Sequence, residues 1–195
     1  MTYEELLQAV YTLTTRPDLE EQTVAAIHAA TLKMHMTDFY SKDLYETVVP
    51  FNEPSYIISF DYASFIKNFR AVRYIRKLNA DNTPGDFITI VQPEELFDGY
   101  NRAKSDIAYM AGRHIEIKSS TALSKFIFGC YVLPVASRDN YSSWIAELYP
   151  FAIVYEAARV IFKTTGYDEQ SAQYNNFVAE QVQLLKISNV PETGF

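Results

Sequence analysis

Cysteine is nearly missing from this 195-residue chain: Cys130 stands alone. No internal disulfide can form, and a reducing cytoplasm is the compartment that fits. The six glycines are widely spread and leave no phosphate-cradling loop. Neither G-x-x-x-x-G-K-[ST] nor G-x-G-x-x-G occurs, and the nucleophile elbow G-x-S-x-G is missing as well. Of the three histidines, His28 and His35 lie seven apart on one expected helix and share a face. Two ligands are too few for catalytic zinc, which needs three protein groups and an open position, so surface or rim histidines are the simpler reading. No cofactor or metal site is expected.

Positive charge is also short. The formal net charge of −7 argues against a broad grip on nucleic acid, which relies on clustered Lys and Arg. Nor does any run reach the roughly 20 apolar residues of a membrane-spanning helix. The best candidate, WIAELYPFAIVYEAARVIFKTTG (144–166), is interrupted by Glu156, Arg159 and Lys163. The opening MTYEELLQAV lacks the basic-then-apolar order of a signal peptide, so a soluble chain made in the cytoplasm is expected.

What remains is ordinary globular material, 48% hydrophobic and 21% charged, of a length that fits one domain. Aromatics stand out, with 15 Tyr and 13 Phe. Tyr joins a large apolar body to a polar tip, which suits a core and rim or a protein interface.

Thr2-Tyr3-Glu4-Glu5 reads as a capping box, and Leu6, Leu7, Val10 and Leu13 or Thr14 follow at helical spacing. Arg16-Pro17-Asp18 breaks that helix. A second runs from about Asp18 to Met36, antiparallel to the first.

The middle turns to short β-branched and aromatic runs: 55–60, 86–92, 105–110, 114–120 and 125–134. Ala111-Gly112-Arg113 reads as a hairpin connection, and Pro93 to Phe97 as a short helix. Residues 61–78 fit helix or strand, and a strand from Arg70 to Leu78 is the preferred reading.

Helices return over 142–164, where Pro150 kinks or restarts the helix, and over about Asp168 to Ile187. The expected fold is therefore α+β: mainly an α-helical bundle of two N-terminal and two C-terminal helices (1–40 and 141–188). It carries a small inserted β-rich module at about 45–135, all in one domain.

On the 144–166 helix, Glu156, Arg159 and Lys163 fall in an arc of about 60°, and nearly everything else is apolar. Either the rest of the chain covers that apolar surface or another subunit does. From Ile66 to Lys77 there are five cations, Lys67, Arg70, Arg73, Arg76 and Lys77, and no acid. That run reads as a docking patch for an acidic partner or a phosphate contact, or as a solvated strand guarding a sheet edge. KFIFGCYVL departs from the RNA-recognition pattern because Phe126 stands where the first glycine belongs. Acid pairs at 20–21 and 94–95 sit at helix starts, where the helix dipole explains them.

FITIVQPEELFDGYNRAK (87–104), MAGRHIEIKSS (110–120) and SSWIAELYPFAIVYEAARVIFKTTGYDEQSAQYNNFVAEQVQLLKISN (142–189) resemble the head-to-tail adaptor proteins of tailed, particularly short-tailed, bacteriophages. The last stretch is the most specific. The resemblance implies a virion structural protein, made in the host cytoplasm, that forms a ring, typically dodecameric. Such a ring joins the capsid portal to tail or nozzle proteins and lines the passage of double-stranded DNA without reading its sequence. It implies no catalysis.

In that family a C-terminal arm often reaches the portal. Here it corresponds to 187–195, with Ile187, Val190 and Phe195 as contacts beside the 67–77 cations. Trp144, Tyr149, Phe151, Tyr155 and Phe162 are the expected subunit interface. The alternatives are a hydrolase using dispersed carboxylates, or another tail or virion component.

Overall fold

The computed structural model describes residues 1–79, 81–96 and 104–189. The chain divides into two compact units, one of Met1–Asp43 with Leu133–Phe195 and one of Leu44–Val132.

The first unit is helical. Helix α1 (Tyr3–Thr14) starts at the expected capping box, where Thr2 accepts from the Glu5 N–H and Glu5 accepts from the Thr2 N–H. Thr15 ends it in the left-handed region (φ 54). Helix α2 spans Glu20–Met36. Arg138 bonds both Glu4 and Glu20 at 2.8 Å, and the Tyr3 hydroxyl donates to the Val24 carbonyl. The first turns of α1 and α2 therefore lie together, and the pair is not the antiparallel hairpin that the short connection suggested.

A four-residue helix α3 (Tyr62–Phe65) belongs to the other unit. The chain then returns to the helical unit for α4 (Trp144–Leu148), α5 (Pro150–Thr164) and α6 (Asp168–Ser188). Pro150 restarts the helix, because its ring takes the first turn, where no N–H partner is needed.

Helix α5 packs against α1, α2, α4 and α6. Its Ala152, Ile153, Val154, Ala157 and Ile161 sit in a core with Leu6, Val10, Ile27, Met34 and Leu185. Most of the apolar surface of the 144–166 segment is thus covered within its own unit.

The second unit overturns the expectation of a small β module on a mainly helical bundle. Among the described residues it is a full sheet of five strands: β1 (Leu44–Asp61), β2 (Phe69–Leu78), β3 (Pro84–Ile90), β4 (Ile107–Ala111) and β5 (His114–Val132). In order they run β1-β5-β2-β3-β4, and β4 pairs β5 again, so β5, β2, β3 and β4 close into a four-strand barrel. Only β3 and β4 are parallel.

Closure depends on the length of β5, 19 residues. Its first part pairs β4 and the end of β1, and its second part pairs β2 and the start of β1. The two runs expected at 114–120 and 125–134 are one strand. Residues 44–54, which showed no strand signal around Pro50 and Pro54, belong to an 18-residue β1 whose register shifts beside those prolines. Both errors share a cause: a strand with bulges loses its alternation but keeps its pairing.

The ambiguous segment resolves into α3 followed by β2, which supports the strand preferred for 70–78. Gly112 (φ 61) makes the β4–β5 turn as expected. Inside the barrel lie Ile75, Ile88, Ala108, Ile115, Ile117, Phe126, Phe128 and Cys130. Burial pushes the Cys130 thiol up to about 11, so it is an inert core group.

Candidate functional site

The five residues expected at a subunit interface fall into two groups. Trp144 and Tyr149 belong to the first. The Trp144 ring meets Tyr40 edge-on at 5.2 Å, His35 at 5.6 Å and Tyr149 at 6.5 Å. Its indole N–H donates to Asp43 at 2.7 Å. Trp144 is fixed inside its own unit.

Phe151, Tyr155 and Phe162 form the second group, one side of an aromatic ladder between α5 and α6. Phe151 meets Tyr155 at 5.4 Å, Tyr155 meets Phe177 at 5.5 Å and Tyr174 at 5.9 Å, and Phe162 meets Tyr174 at 5.2 Å and Tyr167 at 6.3 Å. The ends of the ladder stay open, with Phe151 44% and Tyr167 49% exposed. The α6 rings arrive here because Tyr174 and Phe177 flank the buried Ser171, Val178 and Leu185, which recur every seven residues.

The run of cations from Lys67 to Lys77, just before and along β2, does not form one surface. Lys77 is turned inward and pairs with Asp106 at 2.6 Å. Burial pushes the Asp106 carboxyl up, but the Lys77 ammonium and two bonds from Ser120 outweigh it and bring it down to about 2. Arg76 donates to the Gly85 carbonyl at 2.7 Å and lies over the Phe87 ring at 4.9 Å. Arg70 is half-buried, while Lys67 and Arg73 are exposed.

The Asp106 pair predicts an acid response. A carboxyl held below its unfolded value of 3.8 stabilises above that pH, and the contribution fades as pH falls towards about 2. Asp106→Asn should flatten the stability profile of the β unit across that window, read by urea titration at stepped pH.

A buried polar chain escaped the sequence reading. His35, which looked like a rim histidine, is 1% exposed. One ring nitrogen lies 2.8 Å from Asp43 and the other 2.9 Å from Ser143. His28, on the same side of α2, is exposed, because the chain around Asp43 and Ser143 covers only the last turns of that helix. A Ser–His–Asp order suggests acyl transfer, but the Ser143 hydroxyl accepts from the Ala146 N–H as the cap of α4, and all three residues are buried. The chain ties the end of α2 to the start of α4, which is a structural role.

Glu156, in the polar arc with Arg159 and Lys163, is only 2% exposed and is held by Lys33 at 2.7 Å and Arg159 at 2.8 Å. The acid pair Glu20-Glu21 stands in the first turn of α2, as expected. Among the described residues, no three His, Cys, Asp or Glu side chains converge to hold a metal ion. No helix among them is long and apolar enough to cross a membrane.

Ile187, in the last turn of α6, is 69% exposed. Val190 and Phe195 lie outside the described residues, as does Phe97 of the short helix expected from Pro93, of which Pro93–Glu95 form a 3-10 turn. Compared with models of known protein families and with curated proteins, the chain matches none.

Proposed function

We propose that this protein is a structural component of a tailed-phage virion, assembling into a ring between the capsid portal and the tail. Its chemistry is association, with no catalytic step and no cofactor. The observation that carries the reading is the segment 142–189. It holds the most specific part of the resemblance, and it folds into α4, α5 and α6 with an aromatic ladder left open at both ends.

Half-exposed aromatic rows suit an interface, because Tyr and Phe bring large contact area at small entropy cost. Exposed Ile187 at the end of α6, with Val190 and Phe195 beyond it, supplies the arm towards the portal. Tail or nozzle proteins take the opposite side of the ring. Double-stranded DNA passes through without sequence-specific contact, and the net charge of −7 keeps phosphates from being held.

Electron microscopy of the protein mixed with the portal of its capsid tests the reading. The expected result is discrete rings stacked on portal rings. A monomer indifferent to the portal would overturn it and favour an enzyme.

A further inference from the structure

A ring built from one kind of chain needs two different faces that fit each other, since a head-to-tail contact repeats around the axis. The ladder between α5 and α6 is one apolar face. The other is on the β unit. Residues opposite one another across antiparallel strands share a side of the sheet. Three such rows form one surface: Leu44, Tyr131 and Ala71; Glu46, Gly129 and Tyr74; Val48, Ile127, Arg76 and Phe87.

The Tyr74 ring lies across Gly129, where a Cβ would come within 2.5 Å of it, and its hydroxyl donates to Glu46. Ile127 and Tyr131 are covered, while Leu44, Val48 and Phe87 remain exposed, Phe87 by 59%. The surface is thus largely apolar, and its one acid, Glu46, accepts from Tyr74.

The two faces carry opposite charge at their margins. Beside the ladder stand exposed Asp168 and Glu169, directly after Tyr167, and exposed Glu180, three residues after Phe177, with Lys163 the cation next to Phe162. Arg159 is committed to Glu156. Beside the sheet face are Arg76 over the Phe87 ring, Lys125 in the next row and exposed Arg73 in the same strand. We infer that the ladder of one copy docks on the Leu44–Val48–Phe87 face of the next copy. Aromatics and aliphatics form the core of the contact, and acids meet cations at its rim. The inference rests on the ring reading above and assigns its two faces.

The test uses the full chain in two variants. Phe87→Asp spoils the sheet face, and Phe151→Asp with Tyr167→Asp spoils the ladder; circular dichroism confirms that each variant is folded. In sedimentation velocity, with portal rings added if the wild type needs them to assemble, each variant alone should be monomeric. Their equimolar mixture should form a one-to-one dimer and nothing larger, since one intact contact remains.

A third variant, Asp168→Lys with Glu169→Lys, leaves the core untouched. It should weaken association about tenfold at low salt, and the effect should fade as salt screens the rim. A wild type that assembles while the mixture stays monomeric, or while either aspartate variant still assembles, would overturn this assignment and leave the ring reading standing. A wild type that stays monomeric even with portal present would overturn both.

Discussion

Asp43→Ala should cost the helical unit about 2–3 kcal/mol, while Asp43→Asn should cost much less. The Asp43 carboxylate accepts from the Trp144 indole at 2.7 Å and faces His35 at 2.8 Å, and Asp43 and His35 are both buried. Alanine leaves the indole N–H without an acceptor. It also removes the anchor that orients the imidazole towards Ser143, so the cap of α4 loosens with it. Asparagine keeps an oxygen in the same place. Urea unfolding followed by circular dichroism gives the free energies. Trp144, the one tryptophan in the chain, reports separately on the site through its fluorescence. Equal costs for the two variants would show that the carboxylate charge, not the accepting oxygen, holds the junction.

His35 also marks a limit on what a linear sequence conveys. Its seven-residue spacing from His28 is visible, and helical geometry places both on one side of α2. Nothing in that spacing says that only the last turns are covered, because the cover comes from Asp43 and Ser143, the latter 108 residues away. Local chemistry was legible wherever it acts over a few residues: the Thr2 capping box, the restart at Pro150, the turn at Gly112 and the strand at 70–78. The barrel was not.

Its closure depends on one strand serving three neighbours, and bulges beside Pro50, Pro54 and Ser55 break the alternation that would have announced β1 and β5 at full length. The aromatic ladder was half legible. Phe151, Tyr155 and Phe162 stood out in an apolar run, but the contribution of Tyr174 and Phe177 needed the register of α6 on α5. The basic run on β2 misled for a related reason. A strand sends neighbouring side chains to opposite faces, so Lys77 went to a buried pair and Arg76, beside it, to a carbonyl bond on the other face.

Glu156 turns the same lesson into an expected loss of stability. Its carboxylate accepts from Lys33 and twice from Arg159, whose side chain is itself only 20% exposed. Glu156→Ala should cost about 3 kcal/mol, because it strands a largely covered guanidinium beside the core residues of α5. Replacing Glu156 by Leu together with Arg159→Leu should recover most of that loss. A covered ion pair exchanged for packed hydrocarbon is often neutral, whereas half of one is not.

The trio also fixes the acid response of the helical unit. Burial pushes the Glu156 carboxyl up, but the Arg159 and Lys33 bonds outweigh it and hold the group below the ordinary glutamate range. Its folded value lies below its unfolded one, so the stabilisation is complete above the unfolded value of 4.5 and drains away as pH falls through the folded value. Wild type should therefore lose stability on acidification more steeply than the double variant. If the two curves run parallel below pH 4.5, the carboxylate contributes nothing through its charge and acts by filling space alone.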